Sequence, residues 1–153
     1  MSPTGTSLVV FKQALVAVLQ GRPGLAAATV TYEYPWPNPG PLAIWVGDAD
    51  ADTRVPVMRA GTKKVDEDYT VTVMVQALKT QGEGQEAADL AALALLQEVQ
   101  QQLAETPQVT PEIQWALFAG WSNRIGPFGI AEGGNTGRGS RFEIRVSVRA
   151  RLS

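Results

Sequence analysis

The end of the chain constrains its fold more than any other stretch. From Arg141 to Leu152 the side chains alternate. Phe142, Ile144, Val146, Val148, Ala150 and Leu152 fall on one side, and Arg141, Glu143, Arg145, Ser147, Arg149 and Arg151 fall on the other. A period of two belongs to a β-strand with one face on a core and the other toward water. Twelve residues at about 3.3 Å each span roughly 40 Å. A chain with such a strand needs other apolar elements to cover one side of a long sheet.

Those elements are present. Leu8, Phe11, Leu15, Val18 and Leu19 form a helical stripe after a capping Thr6 or Ser7, and Gly21 with Pro23 ends it, so a helix is predicted over about 7–20. Residues 29–34 alternate as a strand that stops at Pro35. Four prolines between 35 and 41 make a stiff, extended loop. Residues 42–47 read as a short buried strand, and residues 54–60, with Pro56, as an edge strand. From Asp68 to Lys79 a longer strand sets Tyr69, Val71, Val73, Val75 and Ala77 on one face. A second helix is predicted from about Gln85 to Ala104. Its inner stripe is Ala88, Ala92, Leu96, Val99 and Leu103, and Glu83, Glu86 and Asp89 sit near its N-terminus, where the helix dipole favours acids. In the extended segment from Pro111 to Arg124, Ile113, Trp115, Leu117, Ala119 and Trp121 alternate with Glu112, Gln114, Ala116, Phe118 and Gly120. Six glycines between 125 and 140 predict a mobile connection to the last strand. The order α, β, β, β, β, α, β, β predicts one α+β domain over residues 1–153. Its antiparallel or mixed sheet carries both helices on one face and ends in a long C-terminal β-hairpin.

Composition then excludes chemistries. The 153 residues contain neither His nor Cys, which removes disulfides, thiolate sites, zinc fingers and Ser-His-Asp triads. No stretch approaches the ~18 apolar residues of a membrane span. Lys12 interrupts the first apolar segment and no basic lead precedes it, so a signal peptide is not expected and the chain reads as a soluble cytoplasmic protein. The net charge of −2 argues against a protein that simply coats nucleic acid. That charge is uneven: residues 1–118 carry −6 and residues 119–153 carry +4. An acidic body with a basic edge can meet copies of itself, or a charged partner, in a fixed orientation.

Motifs that invite a chemical reading are few. Asp48, Asp50 and Asp52 match the first three ligands of an EF-hand loop, but Thr53 and Arg59 stand where Gly and Glu are required, which leaves a solvated acidic hairpin turn. Asp66, Glu67 and Asp68 read as a charged turn entering a strand. The glycine-rich run from Gly133 through Gly134 and Asn135 to Gly139 lacks the Gly-Lys-Ser/Thr and the following helix of a phosphate loop. No metal or cofactor site is expected. The basic residues of the last segment, Arg138, Arg141, Arg145, Arg149 and Arg151, are candidates for a subunit contact or a DNA-facing lumen; the other reading is a solvated outer sheet face. The loops holding Trp36 and Asn38, and Gly133, Gly134 and Asn135, are candidate partner contacts, with Trp36 as an anchor or else folded back over the first helix.

This layout resembles the tail terminator proteins of long-tailed bacteriophages. It has a short N-terminal amphipathic helix from Leu8 to Leu19, then a Pro/Gly-rich connection and short strands. A strand follows with the sequence of residues 69–75, then an Ala/Leu-rich helix beginning at Glu86 and Asp89, then a final hairpin strand like residues 142–148. The likeness covers nearly the whole chain as an order of elements. It implies a non-enzymatic virion protein without a cofactor. Copies would form a ring, a hexamer by resemblance, on the head-proximal end of the tail tube, stop tube polymerisation and dock the head connector, and DNA would pass through without sequence-specific binding. The implied location is the virion neck, with the host cytoplasm during assembly. A head-side completion or stopper protein of the same junction is the alternative, or, from a different class, a small-ligand-binding or carboxylate-based enzymatic domain.

Overall fold

A computed structural model describes residues 6–37, 39–51, 65–79, 83–126 and 138–152, and at 65, 66, 151 and 152 the backbone only. Within them the elements run α1 (Leu8–Gln20), a single 3-10 turn (Pro23–Leu25), β1 (Thr29–Thr31), β2 (Leu42–Ala51), β3 (Val65–Lys79), α2 (Gln85–Glu105), β4 (Ile113–Gly126) and β5 (Arg138–Leu152). The strands form one five-stranded mixed sheet in the order β1-β2-β3-β5-β4. The fold is α+β, with the two helices on one face and β4 and β5 as the C-terminal hairpin. The expected edge strand at 54–60 and most of the glycine-rich hairpin tip lie outside the described residues. No helix among the described residues is long and apolar enough to cross a membrane.

The two strands with the cleanest alternation make the spine of the sheet. β3 and β5 pair antiparallel from Val65↔Leu152 to Lys79↔Arg138 without a break. Val71, Val73 and Val75 of β3 and Ile144, Val146 and Val148 of β5 are fully buried beneath the helices. Phe11, Leu15 and Leu19 of α1 and Ala88, Ala92, Val99 and Leu103 of α2 complete the core. Phe11 meets Tyr69 edge-on, with ring centroids 6.2 Å apart.

β1 and β2 run parallel, in register from Thr29↔Ala43 to Thr31↔Trp45. Adjacent parallel strands need a crossover, normally a dozen residues or more. Here the proline-rich segment provides it, and Tyr34 packs edge-on against Trp45 with ring centroids 5.0 Å apart. The stiff loop expected from the prolines is thus a crossover strap.

Three local expectations need correction. Asp48 and Asp50 do not sit in a hairpin turn: β2 continues to Ala51, with a bulge between Val46 and Ala49, and both are exposed on the strand, while Asp52, Thr53 and Arg59 lie outside the described residues. Glu67 and Asp68 likewise lie within β3. The simple alternation of β4 also fails, because register shifts fall between Ile113 and Trp115 and between Phe118 and Gly120. The first brings Ala116 and Phe118 toward the core and turns Trp115 and Leu117 to the other side. The second returns Trp121 to the helix side. A bulge adds one residue, and one residue inverts a period of two.

Candidate functional site: the uncovered face of the sheet

The sheet face opposite the helices carries the odd-numbered residues of β5 and their cross-strand neighbours. Arg141 lies between Gln76 and Arg124, Arg145 between Thr72 and Gly120, and Arg149 between Asp68 and Trp115. The alternation read from the sequence therefore does bring Arg141, Arg145 and Arg149 to one face. Arg138 has the opposite parity and belongs to the helix side, where it is exposed at the start of β5. Arg151 has the parity of the uncovered face, and its backbone pairs with Asp66; its side chain, like Asn38, Gly133, Gly134 and Asn135, lies outside the described residues.

The three arginines differ in what they touch. Arg149 makes a two-pronged contact to Asp68, Nε to Oδ1 at 2.8 Å and Nη2 to Oδ2 at 3.2 Å, and its guanidinium lies 5.5 Å from the centroid of Trp115. Arg141 donates from Nε and Nη2 to Oε1 of the fully buried Gln76, and its guanidinium lies 5.3 Å from the Trp45 centroid. Burial lowers the pKa of Arg141, the negative potential at Tyr34 opposes that, and the like charge of Arg124 adds to it. Both contacts need a planar fork that can also stack on a ring, which explains Arg rather than Lys at these positions. Arg145 is the exposed member. It donates from Nη1 to Ser122 Oγ at 3.2 Å. It lies over Gly120, where a β-carbon would come within 2.6 Å of its Nη2; the glycine, at φ +153°, makes room for the guanidinium.

The charge on this face is graded. Arg124, Arg141 and Arg145 occupy the β4–β5 side, with Glu143 among them. Arg149 is matched by Asp68, and Asp48 and Asp50 occupy the β2 side. An open groove of about 430 Å³ between these two ends is lined by Tyr34, Trp45, Asp48, Met74, Arg141 and Glu143 among others. Among the described residues, no group of three or more Asp or Glu is placed to hold a metal ion.

Trp36 is 82% exposed on the crossover strap and does not fold back over α1. Sequence reasoning missed a second exposed apolar region. Leu90 and Leu93 of α2 and Trp121 of β4 line a shallow groove with Glu86, Asp89 and Asn123. Leu90 and Leu93 sit off the inner stripe of α2, which was the available signal. That Trp121 joins them depends on the second bulge of β4.

Comparison of the sequence with models of known protein families and with curated proteins found no match.

Proposed function

We propose that this chain is a structural ring protein of the tail-terminator kind and not an enzyme. In this reading copies assemble, six to a ring, on the head-proximal end of a phage tail tube. One rim matches the last ring of tube protein. The other offers it no further site and instead receives the head connector. DNA passes through the centre, in a particle assembled in the host cytoplasm and retained in the virion neck.

The observation that carries this reading is the one-sided sheet. Two helices bury one face, and the other presents a long polar surface in which arginines alternate with acids and hydroxyls. Affinity for DNA rises with the number of phosphates a protein neutralises. A face on which Arg149 is matched by Asp68, and Arg141 and Arg145 flank Glu143, suits a passage along which DNA slides and does not lodge.

The test is assembly. Purified protein added to polymerising tube protein stops elongation and leaves a ring at one tube end in negative stain; tubes that lengthen unchanged beside it exclude the reading. Capture on immobilised portal protein in place of tube protein would mean a head-side completion protein instead. Arg145→Glu, which removes the exposed hydrogen bond to Ser122, is expected to change folding stability by less than about 1 kcal/mol while impairing assembly or genome passage.

A further inference from the structure

We propose that two copies of this chain meet head-to-tail, the β4/α2 flank of one seated on the α1/β1/β2 flank of the next, with their uncovered sheet faces on the same side. This rests on the ring reading above and assigns its subunit contact.

The first support is where apolar surface remains exposed among the described residues. Val9, Tyr32 and Trp36 lie on α1 and around β1, at one end of the sheet. Leu90, Leu93, Leu117, Trp121 and Ile125 lie on α2 and β4, at the other. The central strands β3 and β5 contribute no large exposed apolar side chain among the described residues. Single exposed apolar residues are ordinary, but patches confined to two opposite flanks mark contact surfaces.

The second support is charge, which inverts between the flanks in both layers. On the uncovered face, the β4 flank is basic through Arg124 and Arg145, and the β2 flank is acidic through Asp48 and Asp50. On the helix side the signs reverse. Glu86 and Asp89 edge the groove of Leu90, Leu93 and Trp121, while Lys12 stands on the α1 flank, donating to the Gly47 carbonyl at 2.9 Å and lying 5.7 Å from the Tyr32 ring centroid. Base meets acid in both layers when unlike flanks join with their sheet faces aligned. Joining like flanks with the faces aligned would oppose like charges, and joining them with the faces reversed would cover one apolar flank and leave the other exposed, whereas the head-to-tail contact covers both.

The third support is the sheet edge. β4 is the terminal strand of the order, so its outer backbone groups make no ladder among the described residues. A strand at the end of the sheet order is a natural place for a second chain to pack.

Two charge-altered proteins test the assignment. One carries Leu90→Arg with Arg124→Glu, and the other carries Val9→Glu with Asp50→Arg. All four positions are exposed or nearly so, and circular dichroism melting verifies that each folds. The single variants Arg124→Glu and Asp50→Arg stand in for any pair that does not fold. Light scattering after gel filtration reads the mass. Wild type is expected to form closed oligomers, and each altered protein alone to be at least tenfold weaker in self-association. An equimolar mixture of the two is expected to recover oligomers, because each altered flank then meets its complement. A wild-type protein that stays monomeric at high concentration overturns the ring reading and this contact together. A wild type that assembles beside variants that assemble equally well, or a mixture that stays monomeric, overturns the flank assignment alone.

Discussion

Tyr69 shows how a single residue joins distant parts of the chain. Its hydroxyl lies 2.9 Å from the Ser7 Oγ, and Ser7 donates from both its backbone N and its Oγ to Glu67 Oε1, at 3.0 and 2.9 Å. Ser7 occupies the N-cap position expected of it but makes no side-chain cap; Thr6 Oγ1 accepts from the Leu8 N–H instead, at 3.1 Å. The sequence pattern identified the cap position correctly. It carried no sign that a strand some sixty residues away would claim the hydroxyl. Burial pushes the Tyr69 phenol up to about 12 from its ordinary 10.0; the Ser7 hydrogen bond pulls the other way and the Glu67 charge adds to the rise. The folded chain therefore holds this proton more tightly than the unfolded chain. Below pH 10 both states keep it, and between pH 10 and 12 stability falls as pH rises, by about 2 kcal/mol in all. Urea unfolding across that window should show the fall, and Tyr69→Phe should remove this component of it while costing about 1 kcal/mol at neutral pH. An unchanged slope in the variant would place the titration elsewhere.

Between elements, the clamp at Arg22 was not legible in the sequence. Gly21 and Pro23 marked the end of α1 as expected, and the arginine between them reaches α2. It donates from Nε to Glu98, and from Nη1 to Gln102 Oε1 and Glu105 Oε2, each at 3.0 Å. α2 has no basic residue in its own last turn, so Arg22 supplies the cation that a helix C-terminus favours. Its pKa is raised by hydrogen bonding to Glu98 first and Glu105 second. Arg22→Ala is expected to cost about 1–2 kcal/mol, read as a melting midpoint lower by about 3–6 °C. Arg22→Lys should restore only part of that, since an ammonium lacks the fork. Full recovery with Lys would mean that charge alone matters. The bulges of β4 were hidden for a related reason. Alternation in sequence cannot say where a partner strand skips a residue, and the pairing with β5 decides that.

For the whole molecule, the proposed head-to-tail contact predicts self-association that is sensitive to salt. Paired opposite charges at a partly exposed junction weaken as the Debye length shrinks from about 10 Å at 0.1 M to about 3 Å at 1 M. A purely apolar junction would hold or tighten under salting-out conditions. Oligomer mass should therefore fall as NaCl rises from 0.1 to 1 M; a rise would point to apolar contact as the dominant force.

The alternating residues of β3 and β5, the stripes of α1 and α2 and the punctuation by Gly and Pro are local properties, carried by periods of two and 3.6. For that reason the two helices and the long strands, the fold class and the sharing of one face by Arg141, Arg145 and Arg149 could be read from the chain by itself, as could the chemistries closed to a sequence without His or Cys. Tertiary structure alone decided which strands sit at the sheet's edges, which arginines are already engaged by Asp68, Gln76 and the tryptophans, and that Trp121 joins Leu90 and Leu93. Those facts depend on pairing between residues far apart in sequence, and a single bulge in one partner moves a side chain from one face of the molecule to the other.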